Sequence, residues 1–275
     1  MNKTKTFAII AIVSAVIPLM ACSSPGSDGP AAEQNALTNI QEHKVLTIGS
    51  SGNNVPTIFK GASGEYEGID VDWANIIAEA IDAKIEWRIL DFKGIVPGIQ
   101  SKQFDVAMSG LRVTDERKKV IDFSVPYAAD DAVVVYPTSM SGISSPEDIA
   151  GKSVCVVAGS SNGDQPVQRI GTAKESQAYP GTAEAFEGLK AGRCEVMVTG
   201  RTLAKDWIKN GHGEGFAVSK VGSDCASFAV GLPKGEPELL KAVNDAISAA
   251  VSAGEYDKIA MKWTDESFPD CSAEK

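Results

Sequence analysis

A strand-to-helix alternation runs twice along this chain, and it narrows the possible folds more than any other feature. Lys44 to Gly49, KVLTIG, is a short apolar strand followed by a polar turn, SSGNN, ending at Pro56. A helix begins at Asp70 or Asp72, and Val71, Ala74, Ile77, Ala78 and Ile81 recur along it at helical spacing. Ile85 to Leu90 alternates apolar and polar as a strand, Asp91 to Ile99 leads into a shorter helix, and Phe104 to Met108 is a third strand. Beyond Tyr127 the pattern restarts. Ala132 to Tyr136 is an apolar strand, Pro146 to Ile149 a short helix, and SVCVVAG, starting at Ser153, another strand. A helix, a strand at Glu195 to Val198 and a helix at Thr202 to Asn210 follow. Phe228 to Leu232 is then a strand, before the amphipathic helix Pro237 to Ala253 and the segment Tyr256 to Trp263. Such alternation implies an α/β fold with parallel sheet covered on both faces. Two such units whose border is crossed twice leave a cleft between them.

The N-terminus does not belong to this pattern. Lys3 and Lys5 precede an apolar run, Phe7 to Met20, that closes on Leu19-Met20-Ala21-Cys22. The run is short for a membrane span of about 20 residues and reads as a secretory leader, residues 1–21, with a lipobox that places a lipid on Cys22. Residues 22–43 read as the lipidated cysteine and a flexible tether, because Ser23 to Ala36 is rich in Ser, Pro, Gly and Ala. Removal of Lys3 and Lys5 with the leader takes the 26 basic residues to 24 against 36 acidic ones, a formal charge of about −12. Such a surface is a poor partner for nucleic acid. His43 and His212 are the only histidines, so histidine chemistry and a His-rich metal site have little to draw on, and no cofactor is expected. In an exported chain Cys155, Cys194, Cys225 and Cys271 suggest two disulfides, and four cysteines allow three pairings.

The stretch Ala107 to Tyr127, AMSGLRVTDERKKVIDFSVPY, carries the densest chemistry. A strand runs into Ser109 and Gly110, where the missing side chain lets backbone approach a ligand, and Arg117 follows seven residues later. A guanidinium beside backbone N–H groups and hydroxyls is a fork for a carboxylate. A solvated helix face is the plainer account of Arg112, Arg117, Lys118 and Lys119.

These residues resemble the extracytoplasmic solute-binding proteins of polar amino acid ABC importers, family 3. The similarity runs from Lys44 to Phe268 through EGIDVDWANIIAEAI, DFKGIVPGIQSKQFDVAMSGLRVTDERKKVIDFSVPY, SPEDIAGKSVCVVAGSS, AVGLPKG and GEYDKIAMKW, in that order. The resemblance implies a periplasmic-binding-protein-like fold of two α/β lobes on a two-strand hinge. Residues 44–129 plus 228–268 would form lobe one, 130–227 lobe two and 269–275 a tail. It further implies a monomer held on the outer side of the cytoplasmic membrane, or in the periplasm, by the Cys22 lipid. Such a protein delivers a small ligand to a permease and ATPase complex.

Carried over by position, Arg117 holds the ligand's carboxylate, helped by the backbone at Gly110 and by Ser109, Ser160 and Ser161, and Phe92 covers the ligand. The resemblance also pairs Cys155 with Cys194 and Cys225 with Cys271. Three departures stand out. Thr199-Gly200-Arg201 replaces the acid usual for an α-ammonium; Ser51 and Asn54 replace an acid and a cleft aromatic; Arg112 replaces a hydroxyl residue. Arg112 and Arg201 suit a ligand with an additional acidic or amide group, and Asp130 or Asp131 at the hinge is a possible replacement acid. The enzyme readings are a nucleophile elbow at Gly159-Ser160-Ser161-Asn162-Gly163 with His212, and a same-fold cyclohexadienyl dehydratase needing a carboxylate general acid. A sensory ligand-binding protein is the third alternative, and the reading adopted is a non-enzymatic importer receptor.

Overall fold

A computed structural model describes residues 35–140, 143–144, 146–161 and 175–271. The leader, Cys22, the first part of the expected tether, Asn162 and Gly163 of the elbow motif, and the end of the tail lie outside the described residues.

The described chain forms one eight-stranded sheet. Its strands are β1 (Val45–Ser50), β4 (Lys84–Ile89), β5 (Val106–Ala107), β6 (Asp122–Pro137), β7 (Ser153–Val157), β8 (Glu175–Tyr179), β9 (Val196–Gly200) and β10 (Phe216–Leu232). Their order is β4-β1-β5-β10-β6-β9-β7-β8, and a hairpin of β2 (Phe59–Lys60) and β3 (Tyr66–Glu67) stands apart. β1 pairs in parallel with β4 and β5 at one end, and β7 with β8 and β9 at the other. The two long strands between them, β6 and β10, are antiparallel to each other. Their lengths, 16 and 17 residues, exceed the short strands expected at 132–136 and 228–232, because each runs unbroken from one lobe into the other. The sheet is therefore parallel in each lobe and antiparallel where the chain crosses.

The helices are α1 (Ala36–His43), α2 (Ile69–Ala80), α3 (Ile95–Gln100), α4 (Asp115–Lys118), α5 (Thr182–Lys190), α6 (Arg201–Trp207), α7 (Pro237–Ser252) and α8 (Glu255–Thr264). α1 corrects the tether: residues 36–43 are ordered. Asn35 caps this helix by accepting from the Thr38 N–H at 2.9 Å, Ile40 is buried, and Glu236 accepts from the Ala36 N–H at 3.1 Å. Ala36 and Leu37 pack half-buried beside Ile40 against the lobe-one core, a short apolar pattern that does not stand out beside Ser23 to Ala36. The shorter helix expected over Asp91 to Ile99 starts as a 3₁₀ turn, Phe92–Gly94, before α3.

Lobe one packs Leu46, Ile48, Trp73, Ile77, Tyr127, Val230, Val243 and Ile247 between its sheet and the α2 and α7 helices. In lobe two, alternate residues of one strand go to opposite faces. Val134, Val154, Val156, Val196 and Val198 share one cluster, while Val133, Val135, Cys155 and Met197 face Phe186 and Trp207. Both expected disulfides are present: Cys155–Cys194 spans 5.6 Å between Cα atoms, and Cys225–Cys271 spans 5.3 Å. The first ties β7 to the approach to β9, and the second ties the crossing strand β10 to the segment after α8. Peptide mapping under non-reducing conditions should recover these two pairs and no Cys155–Cys225 peptide. Cys155→Ala with Cys194→Ala should lower unfolding free energy by about 2–4 kcal/mol in urea titration.

Candidate functional site

The cleft begins where β5 ends. Gly110 has φ +57°, a left-handed conformation that favours glycine, and a Cβ there would press within 3.2 Å of the Thr57 side chain. Its N–H donates to Asp70 Oδ2 at 2.8 Å, while the Tyr127 hydroxyl donates to Asp70 Oδ1 at 2.8 Å. Asp70 is fully buried at the start of α2 and thus fixes the floor of the cleft from below. Burial pushes its carboxyl up from 3.8 to about 7, and the two donors hold it from rising further. The Gly110 N–H is therefore engaged beneath the cleft.

Ser109, Ser51 and Asn54 form a buried chain across lobe one. Ser109 Oγ accepts from the Ser51 N–H at 3.1 Å and lies 2.9 Å from Ser51 Oγ, which accepts from Asn54 Nδ2 at 3.1 Å. The chain continues into lobe two, where the Thr182 hydroxyl donates to Asn54 Oδ1 at 2.6 Å. Thr182 was not foreseen; it sits at the start of α5 with no motif around it.

Arg117 stands on the single turn α4, whose Thr114 cap accepts its backbone N–H at 3.2 Å. Its Nη1 donates to the Arg112 carbonyl at 2.9 Å and its Nη2 to the Gly159 carbonyl of lobe two at 3.0 Å. The guanidinium carbon lies 5.7 Å from the centre of the Phe92 ring, close enough for a cation–π contact. Arg117 is buried, so it is a cleft residue and no solvated helix face. The Arg117–Gly159 and Asn54–Thr182 bonds bring the lobes into contact, as does the approach of Gly159 to the Lys93 backbone. The lobes are closed over a cavity of about 50 Å³.

Of the expected site residues, Asn54, Phe92, Ser109, Gly110, Arg112, Arg117, Ser160, Ser161 and Thr199 all line this cavity. Phe228, Leu203 and Val198 add apolar wall. Arg201 does not belong to it. As the first residue of α6 it turns outward, its Nη1 2.9 Å from Glu266 and its Nε 3.5 Å from Asp131. Strand β9 brings Thr199 into the wall, and the turn into the helix after Gly200 carries the next side chain away.

Arg112 and Asp130 make the remaining charged wall. Arg112 Nη2 donates to the Asp130 carbonyl at 2.8 Å, and its buried Nε has no hydrogen-bond partner. Burial lowers its pKa, while Asp130 and Asp131 act to keep it protonated. Asp130 Oδ1 accepts from the Asp131 N–H, the Thr202 N–H and the Thr202 hydroxyl at 3.0, 3.2 and 3.1 Å; Oδ2 lies 3.3 Å from the same Thr202 nitrogen. Burial raises the Asp130 carboxyl to about 6, moderated by Arg112 and by the Thr202 donors. Ser161 Oγ is also buried without a partner. Among the described residues, no group of three His, Cys, Asp or Glu side chains is placed to hold a metal.

A family model described as bacterial extracellular solute-binding proteins, family 3, matches residues 46–266. The L-cystine-binding protein TcyJ of Escherichia coli (strain K12) is 28% identical over 233 residues, covering 84% of this chain and 87% of that protein. The ABC transporter glutamine-binding protein GlnH of Bacillus subtilis (strain 168) is 30% identical over 278 residues, covering 97% and 98%. Among solved structures, an ancestral amino-acid-binding protein described as a precursor of cyclohexadienyl dehydratase superposes with a TM-score of 0.75 at 30% identity, over 84% of this chain and 99% of that one.

The buried Asp70 gives a pH signature with a definite sign. The native state holds its proton up to about pH 7, whereas the unfolded chain releases it near 3.8, so the stability it contributes is full below about pH 4 and lost as pH rises through 7. In urea unfolding at pH 4.5, 6 and 8, the wild-type stability minus that of Asp70→Asn should fall with rising pH by about 2–4 kcal/mol. A flat difference would remove the proton from Asp70.

Proposed function

Since the chain belongs to the bacterial extracellular solute-binding proteins of family 3, we propose that its cleft captures an α-amino acid whose side chain is acidic or amide-bearing. The protein is the substrate-binding component of an amino acid ABC importer, and its two lobes close over the ligand. The observation that carries the ligand class is the charge of the cavity wall: Arg112 and Arg117 both line it, against Asp130 as the one acid among the described residues there. Arg117 takes the α-carboxylate, Phe92 packs on its guanidinium and the ligand, and Ser109, Ser160, Ser161 and Thr199 supply hydroxyls. Asn54 and Thr182 join the lobes behind the ligand. The relatives named for cystine and for glutamine bind polar amino acids, which accords with this reading.

Binding would select the closed arrangement, because the contacts to Gly159 and Thr182 exist only when the lobes meet. Closed lobes are the form a membrane permease would read, and a lipid on Cys22 would hold the protein beside it. Among the described residues no helix is long and apolar enough to cross a membrane. The reading is of a receptor and not an enzyme. Asp130 is held as a hydrogen-bond acceptor at neutral pH, whereas a dehydratase needs a proton donor over its substrate. The elbow reading needs His212 as its base, and that ring stacks on Trp207.

A thermal-shift screen of the soluble chain from Ser23 onward, refolded to strip carried-over ligand, tests this directly. A ligand present at one hundred times its Kd adds about 2.7 kcal/mol of apparent stability. L-glutamate, L-aspartate or their amides should give the largest shift, and NMR should find the bound molecule chemically unchanged after a day. Arg117→Ala should weaken that ligand by at least about 30-fold through loss of a buried charged hydrogen-bonding partner. A preference for L-arginine would refute the acidic or amide class. In a host that processes lipoproteins, Cys22→Ala should abolish lipid labelling and release the protein from the membrane fraction.

A further inference from the structure

An α-amino acid in this cleft brings a positive ammonium group into a wall that is already cationic. Burying that ammonium without an acceptor would cost several kcal/mol, so an oxygen-rich partner has to be close. Thr199, Ser109 and Asn54 are neutral, and Asn54 and Ser109 are tied to Ser51 and Thr182. Among the described residues that line the cavity, Asp130 carries the one carboxylate. It comes from the crossing strand β6, next to the start of α6, and is 1% exposed.

The hydrogen bonds at Asp130 are uneven. Oδ1 takes three donors, from Asp131 and Thr202, while Oδ2 shares only the Thr202 N–H at the longer distance of 3.3 Å. Oδ2 meets a single long contact and has two lone pairs, so it keeps acceptor capacity. The guanidinium of Arg112 donates to the Asp130 backbone carbonyl and not to its carboxylate, which leaves the acid unspent. Its own Nε–H is buried and unpartnered, and Arg112 lines the same cavity. The two groups are adjacent and opposite in charge, and each has one unsatisfied position.

We propose that Asp130 is the acceptor for the ligand's α-ammonium and that Arg112, through its unpaired Nε–H, reads the ligand's side-chain acid or amide. This rests on the amino-acid reading of the cleft and assigns the two specificity-determining contacts within it. Specificity then lies at the hinge: the acid that recognises the ammonium sits on a strand that passes from one lobe to the other, with Thr202 of lobe two holding it in orientation. A ligand without an ammonium leaves Asp130 unpaired, and a ligand with a cationic side chain meets Arg112.

Isothermal titration with L-glutamate, L-glutamine, L-aspartate and L-arginine as probes tests both assignments. Asp130→Asn should weaken the preferred amino acid about 100-fold, and Arg112→Thr should reduce discrimination between L-glutamate and L-arginine at least about tenfold. Because Asp130 also orients Thr202, a second variant separates recognition from folding. Gly200 pairs with Ala132 beside Asp130 and has φ −73° and ψ 146°, which any residue adopts. Adding Gly200→Asp to Asp130→Asn places an acid next to Thr199 of the cavity wall and should recover at least about tenfold of the lost affinity. Unchanged binding in Asp130→Asn, or no recovery in the double variant, overturns the Asp130 assignment while leaving the receptor reading intact. Tightest binding of L-arginine overturns the Arg112 assignment. Failure of the wild type to bind any of the four probes refutes the ligand class and the inference with it.

Discussion

The antiparallel pairing of the two crossing strands is the constraint on which the rest of the structure depends. Main-chain bonds between 122–137 and 216–232 join the parallel strands of one lobe to those of the other in a single sheet. Each lobe can then bury its own valine-rich strands under helices while the lobes share only two lengths of backbone. The pairing is interrupted between Lys220 and Cys225, opposite the stretch that carries Asp131 and Val133. A register irregularity of this kind concentrates twist and bending, and here it falls where the chain passes between lobes.

Around that crossing the protein places ionisable groups where charge is expensive. Asp70, Arg112, Arg117 and Asp130 are all at most 9% exposed. Each is retained through directed hydrogen bonds: two donors onto Asp70, carbonyls beneath Arg112 and Arg117, and the Thr202 backbone and hydroxyl onto Asp130. Buried polar groups held in this way are weak contributors to net stability and strong contributors to geometry. The outward ion pairs of Arg201 and Lys205 with Glu266 belong to a different class, partly solvated and screened by salt.

Much of this was legible in the sequence because the signals were periodic or chemically dense. Helical spacing from Val71 to Ile81 located α2, apolar runs located β1, β7 and β9, and the stretch from Ser109 to Arg117 marked the cleft. What was hidden depended on tertiary context. Nothing local to Gly110 shows that Asp70, forty residues earlier, lies under it and takes its N–H. Arg201 looked like a cleft cation because the direction of a side chain at a strand-to-helix turn is set by the turn. The continuity of β6 and β10 is not legible in the short apolar runs 132–136 and 228–232, because long-range pairing between the two strands carries the chain beyond them. Ala36 to His43 reads as tether because a helix that docks through Ala36, Leu37 and Ile40 alone leaves little apolar pattern.

The position of β10 in the sheet has a consequence for how the molecule is made. It lies between β5 and β6, yet it comes from near the C-terminal end, so the first lobe is interrupted by the whole of the second. As the chain emerges N-terminus first, strands β1, β4 and β5 meet an open edge where β10 belongs, and their sheet cannot be finished until residue 232 is available. The second lobe has its parallel strands in one continuous block, but it too borrows β10 to pair with β6. Both halves thus wait for the same late segment, and the closing loop is long in sequence, which slows assembly relative to chains built from local contacts. The receptor gains its hinge and its last central strand in one event, so no half of it is a finished receptor on its own.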